Sequence, residues 1–496
     1  MSRILIRAGK RPDAVVTPEA SLAASRWSVF GRNSGNLLFS NSVTRALSVP
    51  GAELVPDSLA LERTAPTPAL AARIDEEFDA LVLPLANAFR PDFVGALTRL
   101  TRLIERLSIP VVVVGAGAQL PVDGSVRSVG DDVKDATRAF VTAVLDRSAS
   151  IGVRGAITKR FLTDLGIPAG SVDVIGCPSI FDAGPSFTVR RKADAITRDS
   201  AVAFNTALAN PGAGAFVRRI TDAYPRSVFI GQSNLELELL LWGTPITGQQ
   251  AGVPATTDHP LWTGDRLRFF VDPRSWIRYL AGRDLSVGAR IHGNVAALLA
   301  GTPAVVLAAD SRTLELADHH AIPYRVMPRL DADLDLDRLH DEIDLDAFNR
   351  LVPENFDRYC AFLDRNGLAH AAGDAAATAR FDARMAAAPF PGPVGPPTGP
   401  DGVRELLDRL RWLRQTNPTP DVRTSDAYTP PFSPDPVAAA LQPLVARIAE
   451  LERARDRRRR ALDPKAWARL AGRAVQHVRG PVAPATQPAR PGTRTA

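Results

Sequence analysis

The first 330 residues alternate short, β-branched apolar runs with stretches of helical periodicity. Within residues 92–107, apolar side chains recur three and four positions apart, as they do on one face of an amphipathic helix. Strands are predicted at residues 4–7, 78–85, 111–114, 150–153, 173–175, 202–204, 228–231, 284–287 and 304–308. Strands that alternate with helices form a parallel sheet covered on both faces. The pattern therefore predicts an α/β fold.

Changes in the pattern divide the chain into five segments. A charged, polar run after residue 188 separates two α/β lobes, predicted at 1–188 and 189–330. Beyond them we expect a helical segment at 331–387, a Pro-rich linker with a short helix at 388–440, and a basic tail at 441–496. Two successive lobes enclose a cleft, and ligands of open parallel sheets bind beyond the carboxyl ends of the strands.

The positive charge of the chain is concentrated in its tail. The whole chain has a net charge of +6, but residues 441–496 alone hold 13 Lys or Arg and 4 Asp or Glu. The rest of the chain is therefore slightly acidic. This distribution gives no reason to expect that the main body binds nucleic acid.

Cysteine content and hydropathy exclude several classes. Two cysteines, Cys177 and Cys360, are too few for a disulfide scaffold or a four-cysteine zinc site. The longest nearly apolar stretch, residues 295–309, is interrupted by Gly and Pro and is shorter than the roughly 20 residues of a bilayer span. The first residues hold no apolar segment of secretory length. We therefore expect a cytoplasmic protein without a transmembrane helix.

The most informative sequence is Arg290-Ile-His-Gly-Asn294, between a predicted strand and a predicted helix. If the segment is extended, Arg290 and His292 point to one face. Gly293 allows a tight turn, and Asn294 is expected to cap the helix. A guanidinium, an imidazole and a helix N-terminus suit a phosphate or carboxylate, with His292 available for proton transfer. Alternatively, Arg290 forms a structural ion pair and His292 only caps the helix.

Other polar or Gly-containing segments also follow predicted strands. Gly115, Gly117 and Gln119 come after four valines, where glycines allow either close approach of a ligand or a packing turn. Arg154 follows the strand at 150–153 and could reach an anion or pair with an acid. Cys177 has no visible base near it and is interpreted as a packed residue.

Two further groups complete the candidate site. Asn33, Gly35 and Asn36 belong to a polar loop that either binds ligand or is a solvated turn. Asp310 and Arg312 contact either a ligand or each other. The Asp-x-Asp metal motif of common sugar-nucleotide transferases is absent from the sequence, so we expect no metal.

In order and spacing, these segments together resemble the polysaccharide pyruvyl transferase family over roughly residues 31–325. The marks are Asn33–Asn36, 114–117, 152–154 with 162–167, 175–179, 290–294 with 299–303, 310–312 and 321–323. The chain departs from the family pattern at two positions. Asn36 and Gly155 stand where many members have Asp.

The resemblance implies a glycosyltransferase-B-like fold of two Rossmann-like lobes, followed here by the helical, Pro-rich extension. It also implies transfer of a pyruvyl group from phosphoenolpyruvate to two sugar hydroxyls of a cell-surface or lipid-linked glycan. The product is a cyclic ketal, and phosphoenolpyruvate is a co-substrate rather than a cofactor. His292 is then expected to act in acid–base chemistry or phosphate contact, with Arg290 and Arg154 on the donor anion.

Two other functions stay open from the sequence. The same cleft could hold a nucleotide-sugar glycosyltransferase site, or the chain could be a non-catalytic protein of glycan assembly. The tail, with Leu441, Leu444, Ile448 and Leu451 in two short heptads and basic residues after them, could lie on an anionic membrane. A solvated basic helix without a partner explains the tail equally well.

Overall fold

The computed structural model describes residues 2–23, 29–126, 129–330, 334–416, 431–434 and 451. The chain divides into two compact units, Met1–Pro436 and Val437–Ala496. The predicted heptads and basic stretch of the tail lie in the second unit and, apart from Leu451, outside the described residues.

The first lobe is built on a parallel sheet of four strands in the order β2-β1-β3-β4. Two further strands, β5 and β6, pair in parallel, and a bridge between Ala116 and Val153 joins β5 to the chain that leaves β4. The strands are β1 (Ser2–Ile6), β2 (Ala52–Pro56), β3 (Ala80–Pro84), β4 (Val111–Val114), β5 (Ile151–Val153) and β6 (Val172–Val174). The helices are α1 (Pro18–Ala23), α2 (Gly35–Leu47), α3 (Pro68–Glu77), α4 (Val94–Ile104), α5 (Asp131–Leu145) and α6 (Ala156–Asp164).

The second lobe is a six-stranded parallel sheet in the order β9-β8-β7-β10-β11-β12, which is the strand order of the dinucleotide-binding fold. The strands are β7 (Val202–Asn205), β8 (Val228–Gly231), β9 (Leu267–Phe269), β10 (Leu285–Gly288), β11 (Ala304–Ala308) and β12 (Tyr324–Val326). The helices are α7 (Ala213–Ala223), α8 (Asn234–Trp242), α9 (Pro260–Thr263), α10 (Pro273–Leu280), α11 (Ile291–Leu299) and α12 (Ser311–His319).

The helices after residue 334 pack against both lobes, the second and third on the first lobe and the last one against a helix of each lobe. They are α13 (Leu336–Asp341), α14 (Leu345–Arg365), α15 (Ala375–Ala387) and α16 (Gly402–Thr416). Arg365 at the end of α14 forms an ion pair with Asp173, with 3.0 Å between Nη1 and Oδ1. Arg45 of α2 donates Nε and Nη2 to the carboxylate of Asp382 on α15. The predicted fold class, two parallel α/β lobes followed by a helical extension, is confirmed.

The buried strands explain why the sequence folds this way. All four valines of β4 are buried, because helices cover both faces of the sheet. In α4, the apolar side chains predicted to share one face, Leu97, Leu100 and Ile104, are buried as well. None of the described helices is both long and apolar enough to span a bilayer.

Strand order also fixes where a ligand can bind. In the second lobe the order reverses between β7 and β10, and in the first lobe between β1 and β3. At such a reversal the loops that leave the two strands diverge and open a crevice beyond their carboxyl ends. These loops start near Arg7, Leu85, Thr206 and Ala289, and the candidate site is built around them.

Candidate active site

A cavity of about 390 Å³ is lined by residues of both lobes. Its charge is strongly positive, because eight arginines line it against three acidic residues. The arginines are Arg7, Arg32, Arg63, Arg90, Arg99, Arg154, Arg290 and Arg312, and the acids are Glu62, Asp92 and Asp310. Such an excess of guanidinium groups favours an anionic ligand.

Arg154 is a buried cation of this cavity that lacks partners for two of its donors. It directly follows β5 and is only 3% exposed, yet neither its Nε nor its Nη2 has a hydrogen-bond partner. Burial lowers the pKa of Arg154. Buried polar groups are normally paired, because leaving them unpaired costs free energy. A bound anion that accepts from both nitrogens would remove this cost.

Gly117 makes room for that side chain. A Cβ at position 117 would lie 2.6 Å from Cδ of Arg154, closer than van der Waals contact allows. The glycine predicted to let a ligand approach therefore lets Arg154 approach instead.

Arg290 precedes the first turn of α11 at the reversal between β7 and β10. Its backbone N–H donates to Oδ1 of Asn205 at 2.8 Å, which fixes the start of the helix. Its side chain makes only a long contact, 3.5 Å from Nε to the Thr206 carbonyl oxygen. None of the described carboxylates lies within ion-pair distance of Arg290, although Glu236 is near enough to oppose the lowering of its pKa by burial. The structure thus offers no partner for the predicted structural ion pair.

His292 lies in the first turn of α11 and faces the cavity. Its ring stacks on Phe39 with 6.3 Å between centroids, and its Nε2 lies 3.6 Å from Sγ of Cys177. Burial, with a smaller contribution from the positive charge of Arg154, lowers the pKa of His292 to about 3. The imidazole is therefore neutral near pH 7 and can accept a proton.

Neutral burial of His292 should make folding depend on pH. An unfolded histidine takes up a proton near its ordinary pKa of about 6.5, whereas the folded imidazole does so only near 3. Its contribution to stability is therefore complete above about pH 6.5 and is lost as the pH falls toward 3. Between pH 7.5 and 5, the unfolding free energy of the wild type should fall by roughly 2 kcal/mol more than that of His292→Gln. Urea titrations at both pH values measure this difference, and equal losses would show that the imidazole is not buried in its neutral form.

The Asn33–Asn36 segment connects the lobes beside His292. The Ser34 backbone N–H donates to the carbonyl oxygen of Gln232 at 2.9 Å, and Oδ1 of Asn33 accepts from the Gly35 N–H at 2.8 Å. Asn33 and Asn36 line the cavity. Gly35 does not, but it begins α2 directly against the imidazole, where a Cβ would be 2.6 Å from Nδ1 of His292. Only glycine allows this contact.

Asp310 and Arg312 contact each other, and both line the cavity. The carboxylate of Asp310 caps α12 by accepting from the N–H groups of Arg312 and Thr313, each at 3.1 Å. It also pairs with the guanidinium of Arg312. Burial would raise the pKa of Asp310, but the charge and hydrogen bond of the Arg312 guanidinium, with the two backbone N–H donors, hold it below its ordinary value.

Four other predicted residues do not line the cavity, and one expectation about them was wrong. Asn294 does not cap α11, since Arg290 occupies the cap position. Asn294 lies inside the helix, where it accepts from Ser286 Oγ and donates to the Gly288 carbonyl oxygen, so it holds α11 to β10. Gly115 packs against Phe39, Gly293 packs against Asn205 and Gln232, and Gln119 is exposed.

Sequence patterns missed several residues of the cavity. Gln232 follows β8, is 1% exposed, and has no hydrogen-bond partner for its Nε2. Arg7 follows β1 and pairs with Glu62 at 2.6 Å. Because both positions directly follow strands, the rule that ligands bind at strand ends could have found them. Arg90 lies in a loop after β3 and has no such signal.

Gly155, one of the two departures from the family pattern, is explained by packing. A Cβ at position 155 would lie 2.7 Å from Cβ of Glu315, whose carboxylate accepts from Thr158 N at 2.8 Å and from Thr158 Oγ1 at 2.6 Å. Burial raises the pKa of Glu315 to about 6. The space needed by a side chain at 155 is thus already filled by an acid from the second lobe.

Comparison with known protein families identifies the family of this chain. The family model described as polysaccharide pyruvyl transferase matches residues 33–311, which is more than half of the chain. The chain belongs to the polysaccharide pyruvyl transferase family. The matched region contains Arg154, Arg290 and His292, together with the Asn33–Asn36 segment and the strand-order reversal of the second lobe. Among curated proteins, no match was found.

Solved structures show distant likeness only. The Staphylococcus aureus MnaA–UDP structure is 12% identical, with 84% of this chain and 97% of that chain covered and a TM-score of 0.36. UDP-N-acetylglucosamine 2-epimerase from Rickettsia bellii is 12% identical, with 73% and 96% covered and a TM-score of 0.39. Anabaena Alr3699/HepE, solved with UDP and glucose, is 12% identical, with 78% and 98% covered and a TM-score of 0.37. Likeness at this level says nothing about what the present chain binds.

Proposed function

We propose that this protein transfers the pyruvyl group of phosphoenolpyruvate to two hydroxyls of one sugar in a cell-surface or lipid-linked glycan. The products are a cyclic ketal and inorganic phosphate. The observation that carries the proposal is Arg154, a buried guanidinium with two unused donors in the cavity of a polysaccharide pyruvyl transferase family member.

The donor fits the chemistry of this part of the cavity. Phosphoenolpyruvate carries a phosphate and a carboxylate, and the forked donors of arginine bind both kinds of anion. Arg154 and Arg290 supply two such forks, and neither forms an ion pair with a described carboxylate. The first turn of α11 adds backbone N–H groups and the positive end of the helix dipole.

The reaction requires proton transfer in both of its steps. In the first step, the methylene carbon of phosphoenolpyruvate gains a proton, while the oxygen of one sugar hydroxyl bonds to C2 and loses its own. In the second step, the bond between C2 and the phosphate oxygen breaks, and the second hydroxyl bonds to C2 and closes the ring. The proton of that hydroxyl leaves with the phosphate.

His292 is the group we assign to the hydroxyl proton. Its neutral state in the free protein allows it to accept the proton of the attacking hydroxyl. The imidazolium then formed lies beside the bound anions, which offset its charge, and it can return the proton to the methylene carbon. A single imidazole that alternates between these states balances the first step.

The proposal is tested by incubating the full-length protein with phosphoenolpyruvate and a panel of glycans. Phosphate release together with the mass increment of a pyruvyl ketal on the glycan is expected. UDP-glucose and UDP-N-acetylglucosamine serve as alternative donors in parallel reactions. A hexose or N-acetylhexosamine mass increment from a UDP-sugar, without a pyruvyl increment from phosphoenolpyruvate, would contradict the proposal and favour a nucleotide-sugar glycosyltransferase.

Gly35→Ala should lower turnover without unfolding the protein. Alanine has a higher helix propensity than glycine, but its Cβ would collide with the imidazole of His292. The ring must shift, and a shift of about 1 Å can reduce a rate by about 100-fold. Steady-state kinetics with phosphoenolpyruvate should show a kcat reduced at least about tenfold in a protein that stays folded, with a melting temperature lowered by a few degrees because overpacking costs about 1–3 kcal/mol. Gly170→Ala, which meets no neighbouring atom within 4 Å, is the matched control. Equal kcat in both variants would show that the contact with His292 is irrelevant.

The basic tail is proposed to hold the enzyme at the cytoplasmic face of an anionic membrane, where phosphoenolpyruvate and lipid-linked acceptors are both available. Each Lys or Arg near such a surface contributes about 1 kcal/mol. Deletion of residues 438–496 should therefore reduce sedimentation with phosphatidylserine-containing vesicles and leave turnover on soluble acceptors nearly intact. Equal sedimentation of the full-length and truncated proteins at low salt would contradict this role of the tail.

A further inference from the structure

A second group of cations lines the cavity on the side of the first lobe, around Arg90. The side chain of Arg90 donates to the carbonyl oxygen of Asn87, and its guanidinium lies 5.2 Å from the ring centroid of Phe93. None of the described carboxylates forms an ion pair with it within 4 Å. Burial, together with the nearby charges of Arg312, Arg7 and Arg32, lowers the pKa of Arg90 to about 10, although the negative charge of Asp92 opposes this shift.

Asn87 shows how close Arg90 and Arg312 lie. The side-chain amide of Asn87 has hydrogen-bond partners when its oxygen faces both guanidinium groups. In this orientation the oxygen accepts from Arg90 Nη1 at 2.8 Å and also from Arg312 Nη1. One neutral oxygen thus bridges two cations. The only described carboxylate on Arg312 is that of Asp310, which also caps α12. Among the described carboxylates, Asp310 is the one in ion-pair contact with this pair of like charges, and Asp92 acts on Arg90 only from beyond 4 Å.

The donor alone does not account for these cations. Phosphoenolpyruvate has one phosphate and one carboxylate, and Arg154, Arg290 and the N-terminus of α11 match both. A cavity of about 390 Å³ lies within the range that holds a ligand of drug size, well beyond a three-carbon acid. The remaining space, on the Arg90 side, is where a sugar acceptor would lie.

We infer that the acceptor sugar carries an anionic group, a phosphate or a carboxylate, and that Arg90 and Arg312 bind it. This inference rests on the proposed function for the identity of the acceptor, but the anion site itself can be tested without turnover. An anionic group held at this wall would set the register of the sugar, so that two of its hydroxyls reach the donor. The inference therefore makes the charge of the acceptor a determinant of specificity.

Calorimetry with three probes tests it: N-acetylglucosamine 1-phosphate, glucuronic acid and neutral N-acetylglucosamine. Titrations are done in the presence of saturating 2-phospholactate, which has the phosphate and carboxylate of the donor but no double bond to react. The wild type should bind at least one anionic sugar about tenfold more tightly than the neutral one. Which probe is preferred distinguishes a phosphate from a carboxylate.

Arg90→Gln should abolish that preference and change the affinity for 2-phospholactate by less than about threefold. Arg90→Lys, which keeps the charge, should retain part of the preference and shows whether loss in the glutamine variant reflects misfolding. Arg102→Gln, an exposed arginine on α4, is the matched control and should behave as the wild type.

Three results would overturn the inference. The first is a wild type that binds all three sugars equally. The second is an Arg90→Gln variant that loses 2-phospholactate affinity as strongly as sugar affinity. The third is displacement of N-acetylglucosamine 1-phosphate by 2-phospholactate, which would show that both use one subsite. Failure of the proposed function is separate, since it appears as absent pyruvyl transfer whatever the sugars bind.

Discussion

Arg154→Ala should abolish measurable binding of phosphoenolpyruvate. The wild-type guanidinium is buried with Nε and Nη2 unpartnered, so an anion that accepts from both gains two charge-assisted hydrogen bonds in a site shielded from water. Truncating one partner of such a buried pair costs about 2–5 kcal/mol. Because each 1.4 kcal/mol is a factor of ten, the dissociation constant should rise by between about 30-fold and a few thousandfold.

Isothermal calorimetry with phosphoenolpyruvate measures this loss. Arg160→Ala, which removes an exposed arginine of α6, the helix that begins just after Arg154, is the matched control and should bind as the wild type does. Arg290→Ala should also impair donor binding, since its guanidinium lacks a carboxylate partner, but its Nε already reaches the Thr206 carbonyl oxygen. Unchanged affinity in a folded Arg154→Ala variant would refute the assignment of the donor to this part of the cavity.

His292→Ala should lower kcat by roughly 100-fold or more, with a smaller effect on donor affinity. A positioned general acid or base typically contributes this much to a rate. The imidazole is neutral in the free protein because it is buried beside Arg154, and this state allows it to accept a proton from a sugar hydroxyl. Removing it leaves the donor anions to Arg154 and Arg290, so the loss should appear mainly in kcat.

Steady-state kinetics and donor calorimetry on His292→Ala separate the two effects. His370→Gln, a half-buried histidine on the helical extension, is the control and should be unaffected. If His292→Ala keeps wild-type kcat, the imidazole transfers no proton. If it instead loses donor binding as completely as Arg154→Ala does, His292 is a phosphate contact rather than an acid–base group.

The fold could be predicted largely because its main signal is local. Apolar runs such as that of Val111–Val114 and the spacing of Leu97 and Leu100 in α4 are visible in the sequence. A helix that connects two neighbouring strands of one sheet, as α4 connects β3 and β4, goes with parallel strands. The lobe and segment boundaries remain predictions. The exact start of α11 was missed because Asn294 is a good cap in principle. In the structure, its side chain instead finds partners in Ser286 and Gly288 of the neighbouring strand.

The candidate site could be predicted only in part, because much of it depends on contacts between the lobes. Arg154, Arg290 and His292 follow predicted strands, and their position, spacing and family resemblance are all visible in the sequence. Gly35, by contrast, leaves space for the imidazole of His292, which belongs to the other lobe. Arg90 forms a cationic pair with Arg312, which lies on the other lobe and shares the Asn87 oxygen with it. No local pattern records such pairs.

The origin of the oxygen in the released phosphate tests pyruvyl transfer most directly. Phosphoenolpyruvate labelled with a heavy oxygen isotope in the bridge between C2 and phosphorus is incubated with the protein and an acceptor glycan, and the products are analysed by mass spectrometry. Pyruvyl transfer breaks the bond between C2 and the bridging oxygen, so the label should leave in phosphate and the ketal on the glycan should carry none. Unlabelled phosphate together with labelled pyruvate, or label retained on the glycan, would mean that the bond to phosphorus breaks instead, and pyruvyl transfer at this site would be contradicted.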